Sequence, residues 1–282
     1  MTVRTVLVAG CGFVGTALAV RLRDAGHRVL GVRRRAELLP PGVEPVAADL
    51  TDRDGLARAL GERVDAVDDL VYAASADGRS EEAYVRAYVT GLDVALSLLA
   101  GRRLRRALFT ASTAVYGVDN GSWVDEASPT EPTRFTGARL LDAEARLHDA
   151  PVETASLRLA GIYGPGRTRL VRMVRDGQLE RDRWTNRIHR DDCAGALHAL
   201  LETAPLAPTY VGVDDAPAPL AEVAAFLAGR LGVPAPELEG PPTGKRCANA
   251  RLRGAGWTPI HPTYREGYPE IVDELLAGRT QG

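Results

Sequence analysis

The run Val6-Leu7-Val8-Ala9-Gly10-Cys11-Gly12-Phe13-Val14-Gly15 sets an apolar strand against a G-x-G-x-x-G turn and the start of a helix, and no other stretch restricts the fold as much. Residues 3–9 read as a buried parallel strand. Val14, Leu18, Leu22 and Ala25 then recur at helical spacing up to Gly26, a residue suited to a left-handed helix end. In such a unit Gly10 turns the chain sharply, Gly12 lets the main chain approach a ligand with no side chain between, and Gly15 lets the helix pack closely on the strand. Free N–H groups at Phe13 and Val14 and the positive end of the helix dipole then face an anion, which suits a dinucleotide pyrophosphate. The competing reading is a glycine turn that closes an ordinary β-α unit with no ligand.

Further strand-like runs lie near residues 28–32, 44–47, 68–74, 106–111 and 154–160, separated by segments that read mostly as helices, among them 81–100 and 136–148. This alternation predicts an α/β fold, a doubly wound parallel (Rossmann) sheet covered on both faces. After Gly161 the pattern loosens into a turn at Gly164-Pro165-Gly166, helices near 190–203 and 219–231, a strand near 210–213 and a Pro/Gly-rich stretch at 233–244 expected to be extended or a loop. The expected division is a nucleotide-binding core over 1–165 and a smaller C-terminal substrate lobe over 166–282, with the helix and strand near 190–213 returning to the core.

The 282 residues, 45% of them hydrophobic, suffice for a large core. A net charge of −2 with both signs interspersed offers no broad footprint for nucleic acid or anionic lipid. No apolar stretch approaches membrane-spanning length and the first strand begins almost at once, so a cytoplasmic protein is expected. Cys11, Cys193 and Cys247 are too few and too scattered for a disulfide framework or a zinc pattern, and no metal is expected. Lys245 is the single lysine, which removes lysine chemistry from the N-terminal two-thirds.

Strand two runs straight into Arg33-Arg34-Arg35. A carboxylate there would bond the ribose 2′-hydroxyl of NAD, whereas guanidinium groups grip a 2′-phosphate, so NADP(H) is favoured; nearby Glu37 leaves NAD(H) open. Asp49 and Leu50 after the third strand and Ala73, Ala74 and Ser75 after the fourth fall where nucleotides sit in open α/β sheets, although Asp49 could equally cap the helix starting near Thr51.

Three later segments carry a family resemblance. Phe109-Thr110-Ala111-Ser112-Thr113-Ala114-Val115-Tyr116-Gly117 looks like S-S-x-x-V-Y-G, Leu157-Arg158-Leu159-Ala160-Gly161-Ile162-Tyr163-Gly164-Pro165 like L-R-x-x-N-V-Y-G-P, and His189-Arg190-Asp191-Asp192-Cys193-Ala194 like H-V-x-D-x-A. With these the chain resembles the extended short-chain dehydrogenase/reductase family, the NAD-dependent epimerase/dehydratase group, over nearly its whole length. That resemblance implies a serine or threonine after the fifth strand, here Ser112, and a Y-x-x-x-K pair on the next helix. Aligning Gly137 and Glu144 with the residues around that pair puts Thr136 and Leu140 in its place, so the chain resembles an atypical branch without the catalytic tyrosine and lysine.

Ser112 is then the candidate for polarising a substrate oxygen, and Thr136 a hydroxyl that donates a hydrogen bond or caps its helix. Tyr116, Tyr163 and Tyr88 are substitute phenols, each also suited to packing. Arg158, Tyr163 and Arg167 are candidates at the substrate mouth, and His189 is read as a structural link at a helix start. The function expected is NAD(P)-dependent hydride transfer on a small polar molecule, by an oxidoreductase or epimerase-like enzyme with non-standard proton transfer. Its rival is a catalytically silent NADP(H)-binding sensor or scaffold. Resemblance further implies a homodimer through the helices near 81–100 and 136–148.

Overall fold

Val6 and Val8 of the first strand pack into one hydrophobic cluster and Leu7 and Ala9 into another, the pattern of a strand covered on both sides. The computed structural model describes residues 2–278. Its strands in chain order are β1 (Thr5–Ala9), β2 (Arg28–Arg33), β3 (Glu44–Ala47), β4 (Asp69–Tyr72), β5 (Arg106–Ser112), β6 (Asn120–Val124), β7 (Glu153–Leu159), β8 (Gly161–Tyr163), β9 (Arg181–Thr185), β10 (Arg187–His189), β11 (Thr209–Gly212), β12 (Ala218–Pro219) and β13 (Glu239–Cys247). The helices are α1 (Phe13–Asp24), α2 (Arg53–Leu60), α3 (Glu81–Tyr84), α4 (Gly91–Leu99), α5 (Phe135–His148), α6 (Arg169–Arg175), α7 (Arg190–Glu202), α8 (Leu220–Leu231), α9 (Ala250–Gly254) and α10 (Tyr264–Ala277).

A seven-stranded parallel sheet of order β11-β7-β5-β4-β1-β2-β3 forms the centre, with Leu7 level with Leu30 of β2 and Leu70 of β4. Leu18 and Leu22 of α1 and Leu197 and Leu201 of α7 cover one face; Leu56 of α2, Leu92 of α4 and Leu147 of α5 cover the other. Strand order reverses between β1 and β4, and at such a switch point the crevice outside the carboxyl ends of the strands takes ligands. This is the doubly wound α/β arrangement expected from the alternation.

A third cluster joins α6, α8 and α10 through Val171, Leu227 and Ile271. Beside it lie the parallel pair β8 and β10 and a four-stranded sheet of order β12-β9-β13-β6. The Pro/Gly-rich stretch is extended from Glu239, the start of β13, which runs on to Cys247. One stretch differs from expectation: the single helix expected over 81–100 is divided into α3, a π-helical turn at Val85–Thr90, and α4. Among the described residues no helix is long and apolar enough to cross a membrane.

Candidate nucleotide and reaction cleft

The glycine turn is built from its backbone. Gly10 stands at φ +100°, and the N–H groups of Gly10 and Cys11 both donate to the Val32 carbonyl, at 3.2 and 2.9 Å, tying the turn to β2. A Cβ on Gly15 would overlap the Gly10 carbonyl, so helix and turn are as close as glycine permits; a Cβ on Gly12 would meet nothing within 4 Å, leaving that side of the main chain open. α1 starts with no side-chain cap and no carboxylate in its first turn, whereas α10 carries a full capping box. The orphan donors of α1 thus remain available to an anion.

From this turn a cleft of about 1000 Å³ runs along the carboxyl ends of the strands, the upper end of the range for small-molecule and cofactor sites. Gly10, Gly12, Phe13 and Val14 line it at the turn, and Arg33 and Arg34 line it after β2. Asp49 and Leu50 line it after β3, and Ala73, Ala74 and Ser75 after β4. Gly15 lies behind this wall. Asp49 does not cap α2; Asp52 does, accepting from Gly55 N at 3.0 Å. Asp49 Oδ1 instead accepts from the backbone N–H and hydroxyl of Thr51, at 2.8 and 2.7 Å, and these bonds hold its carboxyl below the usual range. Arg34 forms a two-pronged pair with Asp77, at 2.7 and 3.0 Å. Among the described residues no carboxylate within 4 Å pairs with Arg33, Arg35 or Arg86, which line the same end. Cys11 is buried, which pushes its thiol up to about 12 and leaves it inert.

Ser112, Thr136 and Leu140 lie at the other end of the cleft. Ser112 Oγ accepts from Ala114 N at 3.1 Å, which leaves its own proton to donate. Thr136 is the second residue of α5, after Phe135, so it is not the cap. Leu140, one turn on, presents an apolar wall and is 4% exposed. Tyr84 and Tyr88, on α3 and the π-turn, also line the cleft. Their rings meet at 5.2 Å, and Tyr84 meets Phe135, the residue before Thr136, edge-on at 5.6 Å. Tyr88 packs on Phe109, and burial pushes its phenol up. Tyr84, Arg86 and Asp77 were not singled out from the sequence, because their helix and loop carry no strand-end or glycine signal.

Three expected site residues turn away from the cleft. Arg158 lies on the opposite face of β7 from Ala155, Leu157 and Leu159, pairs with Glu144 at 2.9 and 2.6 Å and donates to the Tyr116 hydroxyl at 2.8 Å. All three are buried, so Arg158 is a structural cation and Tyr116 its acceptor. Tyr163 stacks on Tyr268 at 4.6 Å inside the third cluster. Arg167 does line the cleft: its guanidinium covers the Phe13 ring at 4.0 Å and donates to the Ile162 carbonyl at 2.9 Å. His189 caps α7, its Nδ1 accepting from Asp191 N at 3.2 Å, as a structural link would.

Comparison with known proteins identifies the family. Residues 6–210 match the profile of the NAD dependent epimerase/dehydratase family. Protein YeeZ of Escherichia coli K12 is 32% identical over 71% of this chain and 73% of its own. A 3-diazoavenalumate denitrifying reductase of a Streptomyces species is 29% identical over 93% of this chain and 98% of its own. A solved structure from Methylobacillus flagellatus, provisionally described as an NAD-dependent epimerase/dehydratase, is 38% identical, with a TM-score of 0.84 over 99% of this chain and 100% of that one. The chain is therefore a member of the NAD-dependent epimerase/dehydratase family.

Proposed function

We propose that this protein is an NADP(H)-dependent oxidoreductase or epimerase-like enzyme that acts on a carbonyl or carbinol carbon of a small polar substrate. One observation carries the reading: a single cleft holds an open glycine turn, an uncapped helix start and an arginine cluster at one end and the free hydroxyl of Ser112 at the other. The residues fit a dinucleotide. Phe13 and Val14 would face the pyrophosphate, Asp49 and Leu50 the adenine, and Arg33 and Arg34 a 2′-phosphate, while Ala73, Ala74 and Ser75 leave room for the nucleoside. The Streptomyces relative, matched nearly end to end, is named a reductase, which supports redox chemistry here.

NADPH held by these residues would supply a hydride. Ser112 would donate a hydrogen bond to the substrate oxygen and so stabilise the charge that develops there, keeping its proton. With threonine and leucine at positions 136 and 140, proton delivery falls to another group, and Tyr84 is a phenol that lines the cleft next to Phe135. Arg167, exposed at the mouth, suits an anionic substituent. The elements after residue 166, apart from α7 and β11, which belong to the large sheet and its cover, would close over the substrate. We further propose a homodimer through α4 and α5; Leu140 serves the cleft wall, so Leu96 and Leu141 are left to contribute to the contact.

Calorimetry with NADPH and NADH, followed by a stopped-flow panel of carbonyl compounds and nucleotide sugars, tests this reading. We expect NADPH to bind and at least one carbonyl to be turned over. No heat from either dinucleotide at millimolar concentration would refute it. A silent sensor, favoured by Thr136 and Leu140, predicts binding without turnover of any compound, and an assembly state that shifts with NADPH.

A further inference from the structure

We infer that the Arg34–Asp77 pair is a strap across the adenosine end of the cleft, and that Asp77 sets the choice between phosphorylated and unphosphorylated dinucleotide by competing with a 2′-phosphate for Arg34. The inference rests on the nucleotide reading above and deepens it. Arg34 follows β2 and Asp77 follows β4, and these strands flank β1 on opposite sides. The pair therefore spans the carboxyl end of β1, where the glycine turn begins, and joins the two walls between which an adenosine would lie.

Chemistry singles out Asp77 from its neighbours. Both partners of the strap line the cleft and are 63% exposed, so the pair is weakly held and opens readily. Asp49, the other carboxylate lining the cleft, is committed to Thr51. Glu37, on the short helical turn Ala36–Leu38, does not line the cleft. A 2′-phosphate offers Arg34 the same two-pronged geometry as Asp77 with more charge, and it is repelled by the carboxylate it displaces. A ribose 2′-hydroxyl offers no such exchange. Arg33 and Arg35 stand ready on the same side to complete a phosphate grip.

Dissociation constants for NADPH, NADH, 2′,5′-ADP and 5′-AMP on the wild type, Asp77→Asn, Arg34→Ala and the double variant decide the matter. Asp77→Asn should tighten NADPH and 2′,5′-ADP by about three- to tenfold while NADH and 5′-AMP stay within about twofold, and the gain should shrink when Arg34 is alanine, where only the repulsion by the carboxylate is left to relieve. An unchanged ratio of NADPH to NADH affinity overturns the strap. So does weaker NADH binding by Asp77→Asn, since Asp77 would then serve as the acceptor for a ribose hydroxyl. If the wild type binds none of the four ligands, the nucleotide reading falls and the strap with it.

Discussion

At the end of the cleft that holds Ser112, the proposed proton chemistry would rest on hydroxyls whose partners can be counted. Ser112 accepts one backbone bond and keeps its proton; Tyr84 touches its neighbours through its ring, so Tyr84→Phe removes the phenol while keeping the contacts to Tyr88 and Phe135. Loss of a positioned acid should lower kcat by about 10²–10⁴-fold, and loss of an oxyanion donor by about 10²–10³-fold. We therefore expect Tyr84→Phe and Ser112→Ala to slow single-turnover oxidation of NADPH in these ranges while the NADPH dissociation constant is unchanged. If Tyr84→Phe keeps full activity, the proton comes from elsewhere. The buried Arg158–Glu144 pair obeys a different logic. Glu144→Ala leaves a buried guanidinium uncompensated and should cost about 3–5 kcal/mol in urea unfolding, whereas Glu144→Leu with Arg158→Met and Tyr116→Phe, which removes every charge and hydroxyl of the group, should recover most of it. Strand ends are easily read from hydrophobic runs, but the face taken by a single arginine among them is not, because burial of a charge is decided by a partner 14 positions away on α5. For that reason Arg158, Tyr116 and Tyr163 were legible as residues at strand ends and illegible as residues turned from the cleft.

The division of the helix over 81–100 shows what a whole element adds. Its apolar spacing marks a continuous helix, and the interruption comes from another strand: the Tyr72 hydroxyl, at the end of β4, donates to the Ala87 carbonyl at 2.5 Å inside the π-turn. A Cβ at Gly91 would overlap that hydroxyl, so glycine is what admits it. Gly91→Ala should destabilise the fold by about 1–3 kcal/mol through overpacking, and Tyr72→Phe in the same protein should restore part of the loss by removing the colliding oxygen. Thermal unfolding of the single and double variants checks this; strictly additive effects would separate the hydroxyl from the turn. The strands of the main sheet and α1, α5, α7 and α8 follow from local periodicity because each buries its own stripe against the sheet or a neighbouring helix. β6 and β13 do not. They are polar and glycine-bearing, they pair across more than a hundred residues, and their register is broken by a bulge between Gly244 and Arg246, so nothing local announces their pairing.

In the molecule as a whole, the junction between the large sheet and the C-terminal elements buries several uncompensated polar groups. Asp214 Oδ2, Arg187 Nη1 and His189 Nε2 are buried there without hydrogen-bond partners among the described residues. Burial pushes the Asp214 carboxyl up to about 7 despite Arg187, and burial together with His261 pushes the His189 imidazole down to about 4. These displacements act on stability in opposite directions. Between about pH 4 and 7 the folded chain keeps a proton on Asp214 that the unfolded chain has released, so this contribution is complete below pH 4 and is lost as the pH rises to 7. Between about pH 4 and 6.5 the unfolded chain binds a proton at its histidine that folded His189 refuses, so that contribution is complete above pH 6.5 and is lost as the pH falls to 4. In the wild type the two slopes largely cancel over their shared range. Asp214→Asn should remove one of them: little changed at pH 4.5, the variant should gain on the wild type with rising pH, by on the order of a few kcal/mol at pH 7.5. His189→Asn, which keeps a side chain able to cap α7, should remove the other and gain on the wild type as the pH falls. Urea midpoints at pH 4.5, 5.5, 6.5 and 7.5 for the three proteins test both signs at once, and parallel curves would mean that neither group carries its proton differently in the folded chain.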